Sequence, residues 1–171
     1  MAVANLAARD PRLAGVFLES QPAGPRLALA AAIAARTANP VARTVMRWLS
    51  ELINLWYGQD VLGAGDLLRL PPPAHRPLVV MTIGTADHYG FAATRALFQA
   101  VWGGGDEQVI HQGVSGTWTW SGEHPLLLVC DGADHYSDSL GYPDVLRAFD
   151  ELLRAACTRA PGRDGPLTPG S

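Results

Sequence analysis

The chain has 171 residues, 48% of them apolar, and a formal net charge of −3, which suits a single domain with a real core. All thirteen basic residues are Arg and they are scattered, so the clustered basic footprint of a nucleic-acid binder is missing. Two cysteines, Cys130 and Cys157, with no Cys-x-x-Cys spacing exclude a disulfide framework and a zinc knuckle.

The opening stretch MAVANLAARDPRLAG lacks the basic start, apolar centre and small-residue cleavage site of a secretory leader. The longest apolar run, LALAAAIAA at 27–35, is too short and too alanine-rich to span a bilayer. A soluble cytoplasmic protein with no membrane span is expected.

Residues 1–25, with Pro11, Pro22 and Pro25, predict a short helix plus irregular chain. RLALAAAIAARTA (26–38) is a strong helix former by propensity. The clearest helix covers 39–58, with Asn39 at the N-cap, Pro40 at N1 and Gly58 at C′. Val41, Val45, Trp48, Leu49, Leu52, Ile53 and Trp56 form one apolar stripe on it. The ordinary role for such a stripe is core packing, so this helix is expected to dock on the remaining domain through Trp48 and Trp56. Aromatic anchors also mark partner surfaces, which is the alternative role. LRLPPPAHRP then breaks regular structure. The expected division is a helical N-terminal region at 1–70, a Pro-rich connector at 71–77, an α/β domain at 78–157 and a disordered tail at 158–171.

Beyond the connector, PLVVMTI has no polar alternation, as in a central parallel strand buried on both faces. GFAATRALFQAVW reads as a helix ended by Gly103, Gly104 and Gly105; EQVIHQG as a second strand; VSGTWTWSG as a short edge strand or hairpin arm; and PLLLVCD as a third buried strand. YPDVLRAFDELLRAAC is an amphipathic helix expected to turn Val145, Phe149, Leu152 and Leu153 inward. The alternation predicts a small three-layer α/β sandwich with a mostly parallel sheet, preceded by the helical region.

Ala-Asp-His-Tyr occurs twice, in GTADHYG at 84–90 and DGADHYS at 131–137, each time directly after an apolar strand. Ligand sites of open α/β sheets form at strand carboxyl ends. Asp87, His88, Asp134 and His135 are therefore expected to face one crevice, joined by His111 and Asp131. Asp and His from several loops are the donor types of a divalent-metal hydrolase. The same residues after a strand also cap helices and stabilise turns.

The stretch 78–150 resembles the hydrogenase maturation endopeptidases. VVMTIG is followed by ADHYGFAATRALF, the second strand gives EQVIHQGVSG with its Gly113-x-x-Gly116 spacing, and the third gives LLLVCDGAD. The resemblance implies a metal-dependent peptidase acting on a protein substrate with Zn or Ni. It implies Asp87 as acidic metal ligand and His111 in the place of the second-strand ligand, with His88, Asp134 and His135 as ligand or general base. Four features depart from the family: a shorter first loop, an imidazole for a carboxylate at 111, TWTWSGEH where a helix belongs, and no counterpart of the family's C-terminal His ligand unless His135 takes its place. A second enzymatic reading takes Cys130 as a caspase-like nucleophile with His88 as its base. From another class comes a non-catalytic interaction module whose Trp-rich helix 41–57 docks a protein partner. GTADHYG lacks both phosphate-binding glycine patterns, so nucleotide binding is disfavoured.

Overall fold

A computed structural model of the chain describes residues 10, 12–20, 25–56, 77–88, 90–135 and 141–159. Gly58, Tyr89, Tyr136, residues 71–76 of the connector and the tail beyond Arg159 lie outside them.

Two strands carry continuous apolar sequence, LVVMTIG in β2 (Leu78–Gly84) and LLLVC in β4 (Leu126–Cys130), and every residue of both is buried. Such strands stay out of water only when both faces and both edges are covered. Two flanking strands cover the edges, β1 (Gly15–Glu19) beside β2 and β3 (Asp106–Ile110) beside β4. The sheet order is β1-β2-β4-β3, and all three pairings are parallel. The flanking strands are short and partly exposed, as sheet edges are.

Alternation along the central strands divides the core. Val79, Met81 and Ile83 of β2 and Leu127 and Val129 of β4 meet helix α3 (Phe91–Trp102) through Leu97, Phe98 and Val101. Leu78 and Val80 of β2 and Leu126, Leu128 and Cys130 of β4 meet helix α4 (Pro143–Arg159) through Val145, Ala148 and Leu152. Each fully enclosed large side chain stabilises the fold by about 1.5–3 kcal/mol. The result is the three-layer α/β sandwich that the strand–helix alternation predicts. Helix α3 stops where expected: Gly103 takes the left-handed conformation at φ 78°, and the Gly104 N–H donates to the Phe98 carbonyl.

Several expectations fail here for definable reasons. Residues 15–19 form a strand, where the proline spacing predicts a helix or irregular chain; a strand of five residues is too short to display a period. Because β1 joins the sheet, the region before the connector is not wholly helical, and part of it belongs to the α/β layer. VSGTWTWSG is no strand; 114–120 is irregular. In α4, Ala148 occupies the inward position, while Phe149 and Leu153 remain exposed, Phe149 meeting the Phe17 ring edge-on at 5.4 Å.

The N-terminal helices α1 (Pro25–Arg36) and α2 (Pro40–Trp56) start and end close to where sequence places them. Asn39 caps α2, its Oδ1 accepting the Val41 N–H at 2.9 Å and the Ala42 N–H at 3.3 Å. The orientation of α2 is the surprise. Its polar side packs on α1: Glu51 holds Arg26 at 2.7 and 2.9 Å, and Arg43 donates to the carbonyls of Ala34 and Thr37. Asn54 is its one buried residue. The apolar stripe points outward, with Trp48 62% and Trp56 89% exposed, and does not pack on the sheet domain as expected.

Candidate functional site

The carboxyl ends of β2 and β4 are neighbours, with Gly84 opposite Cys130, so the two Ala-Asp-His-Tyr copies leave the sheet side by side. Their loops continue the pairing. The Thr85 N–H donates to the Cys130 carbonyl at 3.0 Å, and the Ala86 N–H donates to the Ala133 carbonyl at 2.9 Å. The Thr85 hydroxyl accepts the Gly132 N–H at 2.8 Å. Gly84 is required at this approach, since a Cβ there would stand 2.2 Å from the Ala133 carbonyl oxygen.

The Asp of the first copy meets the His of the second: Asp87 Oδ2 lies 2.9 Å from His135 Nδ1. Asp87 is fully enclosed, whereas the His135 side chain is 36% exposed. The other Asp87 oxygen, Oδ1, accepts the Gly90 N–H at 2.8 Å at the entry to α3. One carboxylate thus caps a helix and orients an imidazole. With an ionised Asp87, which only accepts, Nδ1 is the donor, and in that tautomer the imidazole lone pair stands on Nε2.

The counterpart residues behave differently. His88 and Asp134 are exposed. His111, one residue past β3, makes a separate pair with Asp131 at 3.2 Å, with both side chains more than half exposed. Asp131 is a second node between strand ends, since its backbone N–H donates to the Ile110 carbonyl. Its own carbonyl accepts the Tyr142 hydroxyl at 2.6 Å. Burial, then the nearby Cys130 and Asp131, hold the Tyr142 phenol above its ordinary pKa.

The structure therefore does not join Asp87 and His111 in one ligand set. Each is taken by a different partner, and no group of three or more His, Cys, Asp or Glu suited to a metal ion forms among the described residues. These residues do not fit the metal centre that the family resemblance implies. Nor does the Cys–His reading find its geometry: Cys130 is fully buried on the α4 side of β4, while His88 lies in an exposed turn. A thiol closed off from solvent is a core side chain.

A feature missed by sequence reasoning holds the loop from β3 to β4. Two adjacent parallel strands are joined here without a crossover helix, and α4 supplies the missing support. Asp144, buried, accepts the Gly116 N–H at 2.8 Å. Arg147 donates to the carbonyls of Gly116 and Trp118 and lies 4.1 Å over the Trp118 ring. Arg159 donates to the Gly122 carbonyl at 2.7 Å. The signal was the pair of charges at 144 and 147 on the inward half of an amphipathic helix.

Two described cavities lie away from these strand ends. One of about 220 Å³ sits at the amino ends of β2 and β4, between Pro77, Trp102, His124 and Arg159. The other, of about 300 Å³, lies between α1 and α2, bounded by Leu29, Ile33, Arg47 and Ser50. No described helix is long and apolar enough to cross a membrane. No family model, characterised protein or solved structure matches the chain, so the resemblance to the maturation endopeptidases rests on the motifs quoted above alone.

Proposed function

We propose that the protein is an assembly module that docks a protein partner through α2, which α1 holds in place. The observation that carries this reading is the outward apolar face of α2, where Val41, Val45, Met46, Trp48, Leu49, Leu52, Ile53, Leu55 and Trp56 are all exposed. Isolated exposed apolar residues are commonplace, but a contiguous patch containing two Trp marks a binding surface. The helix is independently anchored by its Asn39 cap and its Arg26 and Arg43 contacts, so the face is presented by a formed element. The test is to screen the full chain against displayed amphipathic helices and against itself. Retention by the native chain and its loss in Leu49→Glu/Leu52→Glu is expected; equal retention by both would refute docking through this face.

One observation favours a second, hydrolytic reading: the enclosed Asp87 carboxylate orienting His135 at a strand end. That is the arrangement of a general base activating water or a substrate hydroxyl, with the imidazole taking the proton on Nε2. Asp87 here positions His135, and His111 with Asp131 lies outside the pair. A panel of chromogenic esters and peptides tests it. Turnover lost in His135→Gln and kept in His88→Gln supports the reading; no turnover by the native chain, or loss in both variants, counts against it.

A further inference from the structure

We infer that the α2 face is completed by the α2 of a second copy, packed antiparallel about a two-fold axis between Trp48 and Leu49. This inference rests on the docking reading above and names its partner.

The order of side chains along the helix is the first argument. Along the centre of the face, Val41, Val45, Trp48, Leu49, Leu52 and Trp56 follow one another at steps of four, three, one, three and four residues, with Met46, Ile53 and Leu55 on its flanks. That spacing reads the same from either end. A two-fold interface requires self-complementarity, because residue i meets j wherever j meets i. Antiparallel pairing about the midpoint sets Val41 opposite the partner's Trp56, Val45 opposite Leu52, and Trp48 opposite Leu49. Each Trp then faces a smaller aliphatic side chain, the alternation of large and small that lets helix surfaces interdigitate.

Charge is the second argument. No exposed residue of the stripe is ionisable, and Arg43 and Glu51 are spent on α1 on the opposite side. An oppositely charged partner would gain nothing on this face, whereas an equally uncharged copy loses nothing. The macrodipoles of two antiparallel helices also oppose each other favourably.

Area is the third. Nine exposed apolar side chains, two of them Trp at 62% and 89%, present a surface on the order of the 800 Å² per partner that a stable interface buries.

Sedimentation velocity of the full chain, with Cys157→Ser as background, tests the inference together with directed cross-linking. The native chain is expected to sediment as a dimer at micromolar concentration, and Leu49→Glu/Leu52→Glu to weaken association at least about a hundredfold. Val45→Cys and Leu52→Cys should form a disulfide efficiently when the two variants are mixed, and poorly when either is alone. Antiparallel packing separates the two copies of one position by about 3 Å for each residue between it and the two-fold axis, twice the helical rise. Efficient self-cross-linking of Val45→Cys would overturn the antiparallel arrangement. A monomer whose tryptophan fluorescence is quenched less by acrylamide in Trp48→Phe/Trp56→Phe than in the native chain would overturn the dimer and leave docking of another protein standing. A monomer in which that double change leaves quenching unaltered would show the face already shielded, and both readings would fall.

Discussion

Helices α2 and α4 are each seventeen residues long, each begins with Pro, and each is amphipathic, yet they are mounted in opposite senses. In α4 the apolar side lies on the sheet through Val145, Ala148 and Leu152. In α2 the polar side is mounted on α1 and the apolar side faces out. The difference teaches that periodicity fixes which residues share a helix face, while the identity of what covers that face depends on elements far away in sequence. For α4 the covering layer is the sheet of the same chain, β1 and β2 above all, with side chains of β4 in the same core. For α2 it is not found among the described residues.

Substitutions that treat the two helices alike should therefore give unlike results. The largest effect is expected from Leu152→Ala, at about 2–5 kcal/mol of lost stability in urea unfolding, because it opens a cavity beneath the sheet. A nearly silent Leu152→Ala would mean that α4 does not pack on the sheet through Leu152. Next comes the polar edge of α4. Arg147→Met should cost about 1.5–3 kcal/mol by freeing the carbonyls of Gly116 and Trp118, while Arg154→Met, on an exposed ion pair with Asp150, should cost under about 1 kcal/mol. Equal costs would mean that the loop does not lean on Arg147. Tyr142→Phe removes the bond to the Asp131 carbonyl at the start of α4 and should cost about 0.5–1.5 kcal/mol. The smallest effect is expected in α2: Trp56→Ala should change the stability of dilute protein by within about 0.5 kcal/mol, since the side chain meets solvent. A multi-kilocalorie loss at Trp56 would erase the contrast between the helices.

The same contrast divides the repeated motif. His135→Ala should cost about 1–3 kcal/mol by taking the imidazole away from Oδ2 of the enclosed Asp87, and His88→Ala should be silent in the same thermal melts. If both are silent, the Asp87–His135 contact contributes nothing to the joined loops.

The sheet was legible where sequence speaks through long runs. LVVMTIG and LLLVC could belong only to strands covered on both sides, and Gly103 marks the end of α3. Strand β1 was illegible because GVFLE is short, and its pairing with β2 is decided across 63 residues, from Gly15 to Leu78. At the site the residue types were legible, since strand-end Asp and His were marked as chemistry-bearing. Their pairing was not, because it follows from β4 lying between β2 and β3. That order brings His135 to Asp87, and Asp131 to His111, separating residues that the motif reading placed in one crevice.

The position of β4 also has a consequence for how the chain is made. During synthesis β2 and β3 emerge before the strand that separates them, so each waits with an unsatisfied edge, and β2 is apolar throughout. The centre of the sheet closes only after residue 130 has left the ribosome, and α4, which seals one side and grips the β3–β4 loop, arrives last. Parallel pairing of this kind is slow, and exposed strand edges invite association between nascent chains. Truncations ending before Pro143 should accordingly be recovered as aggregates, while chains carried through Arg159 fold, an outcome that translation of stalled nascent chains would reveal by protease resistance.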